Sequence, residues 1–275
     1  MATSHQTPTH HWHVPEPSKW PIIGTGSALT TAIGAVIYMH ENVPWLLIIG
    51  LALLIYTFWG WCSQVVKEST VERAHSNPVR HGLRVSMILF IASEVMFFFA
   101  FFWAFFHSSL PVLSKVAQPV WPPEGVIPFD PFSLPFLNTL ILLTSGATVT
   151  YAHHAVEKGD QAGTVKGLAW TVVLGMLFTA LQAYEYGHAA FGFSDGIYSS
   201  TFYLATGFHG FHVIVGTIFL AVCWFRARAG HFEPDKHVGF QAAAWYWHFV
   251  DVVWLFLFVA IYWWGAGDFD FGAMM

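Results

Sequence analysis

Five ionisable side chains fall where chemistry would be hardest to explain away. Glu94 lies inside the aromatic run FIASEVMFFFAFFWAFF (90–106), His209 and His212 sit in FHGFH, and His248 and Asp251 in WYWHFVD. Carboxylates with imidazoles can exchange protons, and three or four of them converging can hold a metal. The spacing argues against the familiar metal and haem patterns. His209 and His212 are three residues apart, on adjacent helical faces, without the glutamate of an HExxH zinc motif. The sequence has no CxxCH for covalent haem and no cysteine pair for a dinuclear copper site. No metal is therefore expected on this chain.

These groups are carried by elements made for a bilayer. Of 275 residues, 55% are hydrophobic and 10% charged, against about a quarter charged in soluble domains. Seven apolar stretches are long enough to cross ~30 Å of hydrocarbon as helices: 20–40, 45–66, 81–107, 133–156, 166–191, 199–225 and 240–264. Lipid cannot satisfy a backbone, and no stretch alternates as a barrel strand would. The fold class is thus an all-α membrane protein. Its organisation is expected as an N-terminal His-rich segment 1–19, helices one and two over 20–66, a charged loop 67–80, helices three to seven over 81–265, and a tail 266–275. No internal repeat of the kind found in inverted-repeat transporters is visible.

Orientation follows the basic residues. If the N-terminus is inside, ten of the eleven Lys and Arg lie on that side and only Lys115 on the other. The N-terminus is expected in the cytoplasm and the C-terminus in the periplasm, in a bacterial inner membrane, because the opening MATSHQTPTHHWHVPEPSKW lacks a signal-peptide design. Nucleic acid is not an expected partner.

At ~1.5 Å per residue, Glu94, His209, His212, His248 and Asp251 share a similar depth on spans three, six and seven. Ionisable groups there cost a few kcal/mol each and usually face a partner. They could meet, either as a polar network that sets helix packing or as a proton-linked site. Surrounded by Phe97, Phe98, Phe101 and Phe102, Glu94 would stay protonated unless a histidine shared its proton. Ten of the sixteen histidines cluster at the inner surface, where His5, His10 and their neighbours could collect protons or be a solvated tail. Trp61, Glu68, Thr70, His75 and Arg226, near inner span ends, suit a phospholipid headgroup or ordinary interfacial anchoring. Cys62 and Cys223 are expected as small apolar fillers.

Four further stretches are specific: WAFFHSS (103–109), TYAHHAVEKG (150–159), SDGIYSSTFYLATGFHGFHVIVG (194–216) and AAAWYWHFVDVVWLFLFVAIYWWG (242–265). Together they resemble subunit III of cytochrome c oxidase, the haem-copper terminal oxidase. The resemblance implies seven helices, with helices 1 and 2 splayed from helices 3 to 7 by a V-shaped cleft filled with phospholipid. It implies no haem or copper here; those centres lie on partner subunits I and II of a complex that oxidises cytochrome c, reduces oxygen to water and pumps protons. The subunit would stabilise the oxygen-reducing site, assist proton uptake and guide oxygen. Glu94 would match the family's carbodiimide-reactive carboxylate, Glu68, Thr70, His75 and Arg226 its headgroup positions, and His5 and His10 a set near the proton entrance. The chain departs from the pattern at Gln241, often glutamate, and at Cys62, often tryptophan. Two rival readings are an autonomous proton-coupled transporter using Glu94, His212 and Asp251, and an integral haem protein.

Overall fold

Hydroxyls that lipid cannot solvate bond back onto their own helices. Thr25 Oγ1 donates to the Pro21 carbonyl, Thr57 to Leu53, Thr139 to Pro135 and Thr206 to Phe202, all at 2.7–2.9 Å. Helices can therefore carry threonine through a bilayer with its hydroxyl satisfied by the preceding turn. The computed structural model describes residues 17–113 and 120–267. It contains α1 (Trp20–Glu41), α2 (Trp45–Thr70), α3 (Asn77–Ser109), α4 (Leu134–Glu157), α5 (Gln161–Gly187), α6 (Ile197–Arg228) and α7 (Val238–Leu257). A π-helical turn, Phe258–Trp263, and a short 3-10 turn, Trp264–Ala266, continue α7. With that continuation, seven helices among the described residues are long and apolar enough to span a membrane, and those residues form no sheet, in keeping with the all-α class expected.

Helix ends depart from the apolar stretches for physical reasons. α2 runs to Thr70 and α3 starts at Asn77, so most of the charged segment 67–80, expected as a loop, is helical and only 71–76 connects. Charged side chains in the headgroup layer stop the hydropathy signal without breaking the backbone ladder. α5 begins five residues before the expected 166, because Asp160 caps it, accepting from the Gly163 backbone N–H at 2.9 Å.

The chain divides into two compact units, Met1–Leu83 and Arg84–Met275. In the first, α1 and α2 pack closely through small residues: a Cβ at Gly34 would strike the Leu47 backbone, and one at Gly50 would strike Thr31. Ser27 and Thr57 share a hydroxyl contact of 3.2 Å between them. In the second, α4, α5, α6 and α7 form a ring in which each packs on two others. Trp247 is fully buried at its centre. Its indole N–H donates to Ser145 Oγ on α4 at 2.9 Å, and its ring fills the space left by Gly175 on α5 and Gly216 on α6. Trp254 repeats the device, donating to Thr139 Oγ1 at 2.9 Å.

Candidate functional site

α3 carries Glu94 to α6, where Glu94 Oε2 lies 2.9 Å from His212 Nε2. The other nitrogen, Nδ1, is 2.7 Å from the Phe208 carbonyl oxygen, one turn back. A carbonyl only accepts, so Nδ1 holds a proton. With a neutral imidazole, Nε2 accepts and the carboxyl must donate; with an imidazolium, Nε2 donates to a carboxylate. In both cases one proton lies between the two groups and the pair is neutral overall. Phe98 seals the imidazole at a ring distance of 4.9 Å, with Tyr246 stacked at 6.2 Å and Phe249 edge-on. His212 is 6% exposed and Glu94 21%, so the carboxyl is the reachable end.

The other three depth-matched residues make separate contacts. His209, fully buried, places Nε2 3.2 Å from the Val250 carbonyl on α7 and packs its ring against Trp254 and Phe178. It points toward α5 and α7, while His212 three residues on points toward α3, as the three-residue offset requires. His248 and Asp251 turn to α4. His248 Nδ1 is 3.6 Å from Asp251 Oδ2, and its Nε2 is 3.2 Å from Thr150 Oγ1, a hydroxyl that donates to the Gly146 carbonyl. Gly146 leaves room for the Asp251 carboxylate, which a Cβ there would push aside. The five residues thus form two acid–histidine pairs and one histidine bonded to backbone, and no side-chain hydrogen bond among the described residues joins the three groups.

One intramembrane carboxyl escaped the sequence reading. Glu185, 2% exposed on α5, accepts at Oε1 from Tyr262 at 2.6 Å and from Gln182 Nε2 at 3.0 Å. Gln182 Nε2 also reaches the Tyr262 hydroxyl at 3.2 Å. The signal was available in principle, as a glutamate inside an apolar span, but its partner tyrosine is on another helix.

At the inner helix ends, Glu68 accepts from Gln64 Nε2 at 3.0 Å and stands 3.9 Å from His75 Nε2. The Thr70 hydroxyl donates to the Val66 carbonyl at 2.8 Å, and Trp61 is exposed. In the second unit, Arg226 lies over the Phe232 ring at 4.7 Å, and its Nε is buried without a hydrogen-bond partner. Gln241, where the family pattern often has glutamate, accepts from Arg84 Nε at 2.7 Å. Of the two thiols, Cys223 is buried as expected of a filler whereas Cys62 is exposed. His5 and His10 lie outside the described residues.

Fold and sites together define a multi-pass helical membrane protein whose intramembrane acids Glu94, Asp251 and Glu185 each face a side-chain partner within the chain. The sequence profile described as Cytochrome c oxidase subunit III matches residues 10–266. Proteins named Cytochrome c oxidase subunit 3 are similar along almost the whole chain. That of Arabidopsis thaliana is 56% identical over 259 residues, covering 94% of this chain and 97% of its own. That of Cyprinus carpio is 52% identical over 257 residues, covering 94% and 98%. The chain belongs to the cytochrome c oxidase subunit III family and is a membrane subunit of an oxidoreductase complex of the respiratory chain.

Proposed function

We propose that this chain is a non-redox core subunit, supporting oxygen reduction by its partners rather than carrying electrons. The observation that supports the reading is the commitment of His212, whose Nδ1 is spent on the Phe208 carbonyl and whose Nε2 is held by Glu94. With both nitrogens taken, that ring has none left for a haem iron, and the His209 ring is packed against Trp254 and Phe178. Haem and copper would then reside on subunits I and II, the expected partners, with cytochrome c as the substrate of the complex.

Within that role the chain stabilises the oxygen-reducing subunit, holds structural phospholipid and assists proton uptake and oxygen access. The lipid role is supported by Arg226, a cation whose buried Nε lacks a protein acceptor and which no described carboxylate approaches as a salt bridge. A phosphate oxygen would complete it. His5 and His10 would gather protons on the side bearing ten of eleven basic residues, which is the inner side with the N-terminus in. The reported relatives are plant and fish proteins, which widens the host membrane beyond the bacterial inner membrane expected from the N-terminal stretch.

Purification in detergent tests the reading. The chain is expected to travel with a larger haem-bearing partner. A Soret band belonging to this chain alone would favour the haem-protein reading, and isolation as a separate species that moves protons would favour a transporter. For the lipid role, Arg226→Ala is expected to lower phospholipid retained per complex by mass spectrometry, and an unchanged lipid count would remove it.

A further inference from the structure

The last turn of α4 carries HHAVE, 153–157, which puts His153 and Glu157 on one helical face. The start of α7 brings His237 against them. One ligating atom from each of His153, Glu157 and His237 lies within 4.8 Å of the other two. His153 Nδ1 is 4.0 Å from Glu157 Oε1, and the two imidazole rings stand 5.3 Å apart at 70°.

The two histidines are set up as ligands rather than as ordinary core residues. His237 is 7% exposed and its Nδ1 is 3.1 Å from the Glu233 carbonyl, so Nδ1–H donates there and Nε2 keeps its lone pair. A ring N–H anchored on a carbonyl is the usual outer support of a metal-bound histidine. His153 turns Nδ1 toward Glu157 Oε1, so Nδ1 is the nitrogen placed to ligate, while its Nε2 is buried with no hydrogen-bond partner. Buried polar atoms are rarely left so without reason. Glu157 is half-exposed, and His154 Nδ1 approaches its second oxygen at 3.2 Å, leaving Oε1 toward His153.

We infer that His153, Glu157 and His237 form a binding site for a divalent transition metal of the zinc class, joining the inner end of α4 to the start of α7. Two imidazoles and one carboxylate are a zinc-type donor set, with the fourth position left to water. Bonds of about 2.0–2.1 Å in a tetrahedron place ligand atoms roughly 3.4 Å apart. Closing to that spacing from separations of up to 4.8 Å needs the three side chains to draw together, the half-exposed Glu157 being the most free to turn. The site takes no part in electron transfer; its effect is to clip two helix ends together.

The test uses the assembled oxidase complex, treated with chelator, dialysed against zinc chloride and washed. Zinc per complex is counted by plasma mass spectrometry and its neighbours are read by zinc-edge X-ray absorption. His153→Ala and His237→Ala are expected to retain one zinc fewer than the parent and to lose imidazole scattering. Glu157→Gln is expected to bind at least about tenfold more weakly, as loss of even an outer partner costs that much. Its half-exposed side chain leaves the packing intact, and unchanged haem content per complex checks the fold. His231→Ala, an inner-surface histidine outside the trio, is expected to match the parent. Equal zinc counts and spectra in the parent and all three ligand variants would overturn the proposal, as would a parent that retains no zinc at this position.

Discussion

Glu94 and Glu185 are both carboxyls set in apolar helices, the first partly and the second fully buried, and their surroundings do opposite things. Glu94 faces a base: His212 Nε2 at 2.9 Å can give or take the proton between them. Glu185 faces donors: the Tyr262 hydroxyl at 2.6 Å and the Gln182 amide at 3.0 Å both bond its Oε1, and neither donor atom is a base. Exposure differs in the same sense, 21% for the Glu94 side chain and 2% for Glu185. The first arrangement shares one proton between an acid and a base at a reachable edge. The second fastens α5 to the turn after α7. A buried acid is thus defined by its neighbour's chemistry more than by its depth.

The widest separation between the two should appear in chemical labelling. A hydrophobic carbodiimide applied to the complex is expected to modify Glu94 and leave Glu185 untouched, as read by peptide mass spectrometry. Modification of Glu185 at a similar rate would erase the distinction.

Stability comes next. Tyr262→Phe strips the shortest bond from a fully enclosed carboxyl, and an under-satisfied buried acceptor costs about 1–3 kcal/mol. A lower thermal midpoint of the complex is expected, and an unchanged one would show that Glu185 does not depend on this donor. His212→Leu is expected to cost less, on the order of 1 kcal/mol, because Glu94 can keep the shared proton for itself at its partly exposed edge. A larger loss than for Tyr262→Phe would invert the comparison.

The smallest effect is expected for Glu94→Gln. The amide N–H can donate to His212 Nε2 in place of the carboxyl, so oxygen consumption by the assembled complex should stay close to the parent's. Near-complete loss of turnover with normal assembly would instead place Glu94 in the proton path.

How much of this was legible in residues alone varies with the distance between partners. The aromatic run around Glu94 and the FHGFH repeat exposed one pair's members, and depth counting put them at one level. It could not show which histidine Glu94 would choose. His209 and His212 share a helix and a depth, and only the facing of α6 sends one to α3 and the other to the Val250 carbonyl. Glu185 drew no notice, because Gln182 one turn away says little until Tyr262 arrives from another helix. The inner-surface trio is similar: the His153 and Glu157 spacing was visible within HHAVE, while His237 joins them only through packing of α7 on α4.

Composition and the length of the apolar stretches determined the class. Backbone groups in lipid need partners within their own helix, so seven long apolar segments could become little else, and basic residues at one set of ends suggested the orientation. Tertiary structure alone decided the pairings, since a helix presents its side chains at about 100° intervals and sequence does not say which face meets which neighbour. Small residues such as Gly175 and Gly216 settle that, by admitting the Trp247 ring where a Cβ would strike it. The polar chemistry of this subunit follows from where the backbones are allowed to approach.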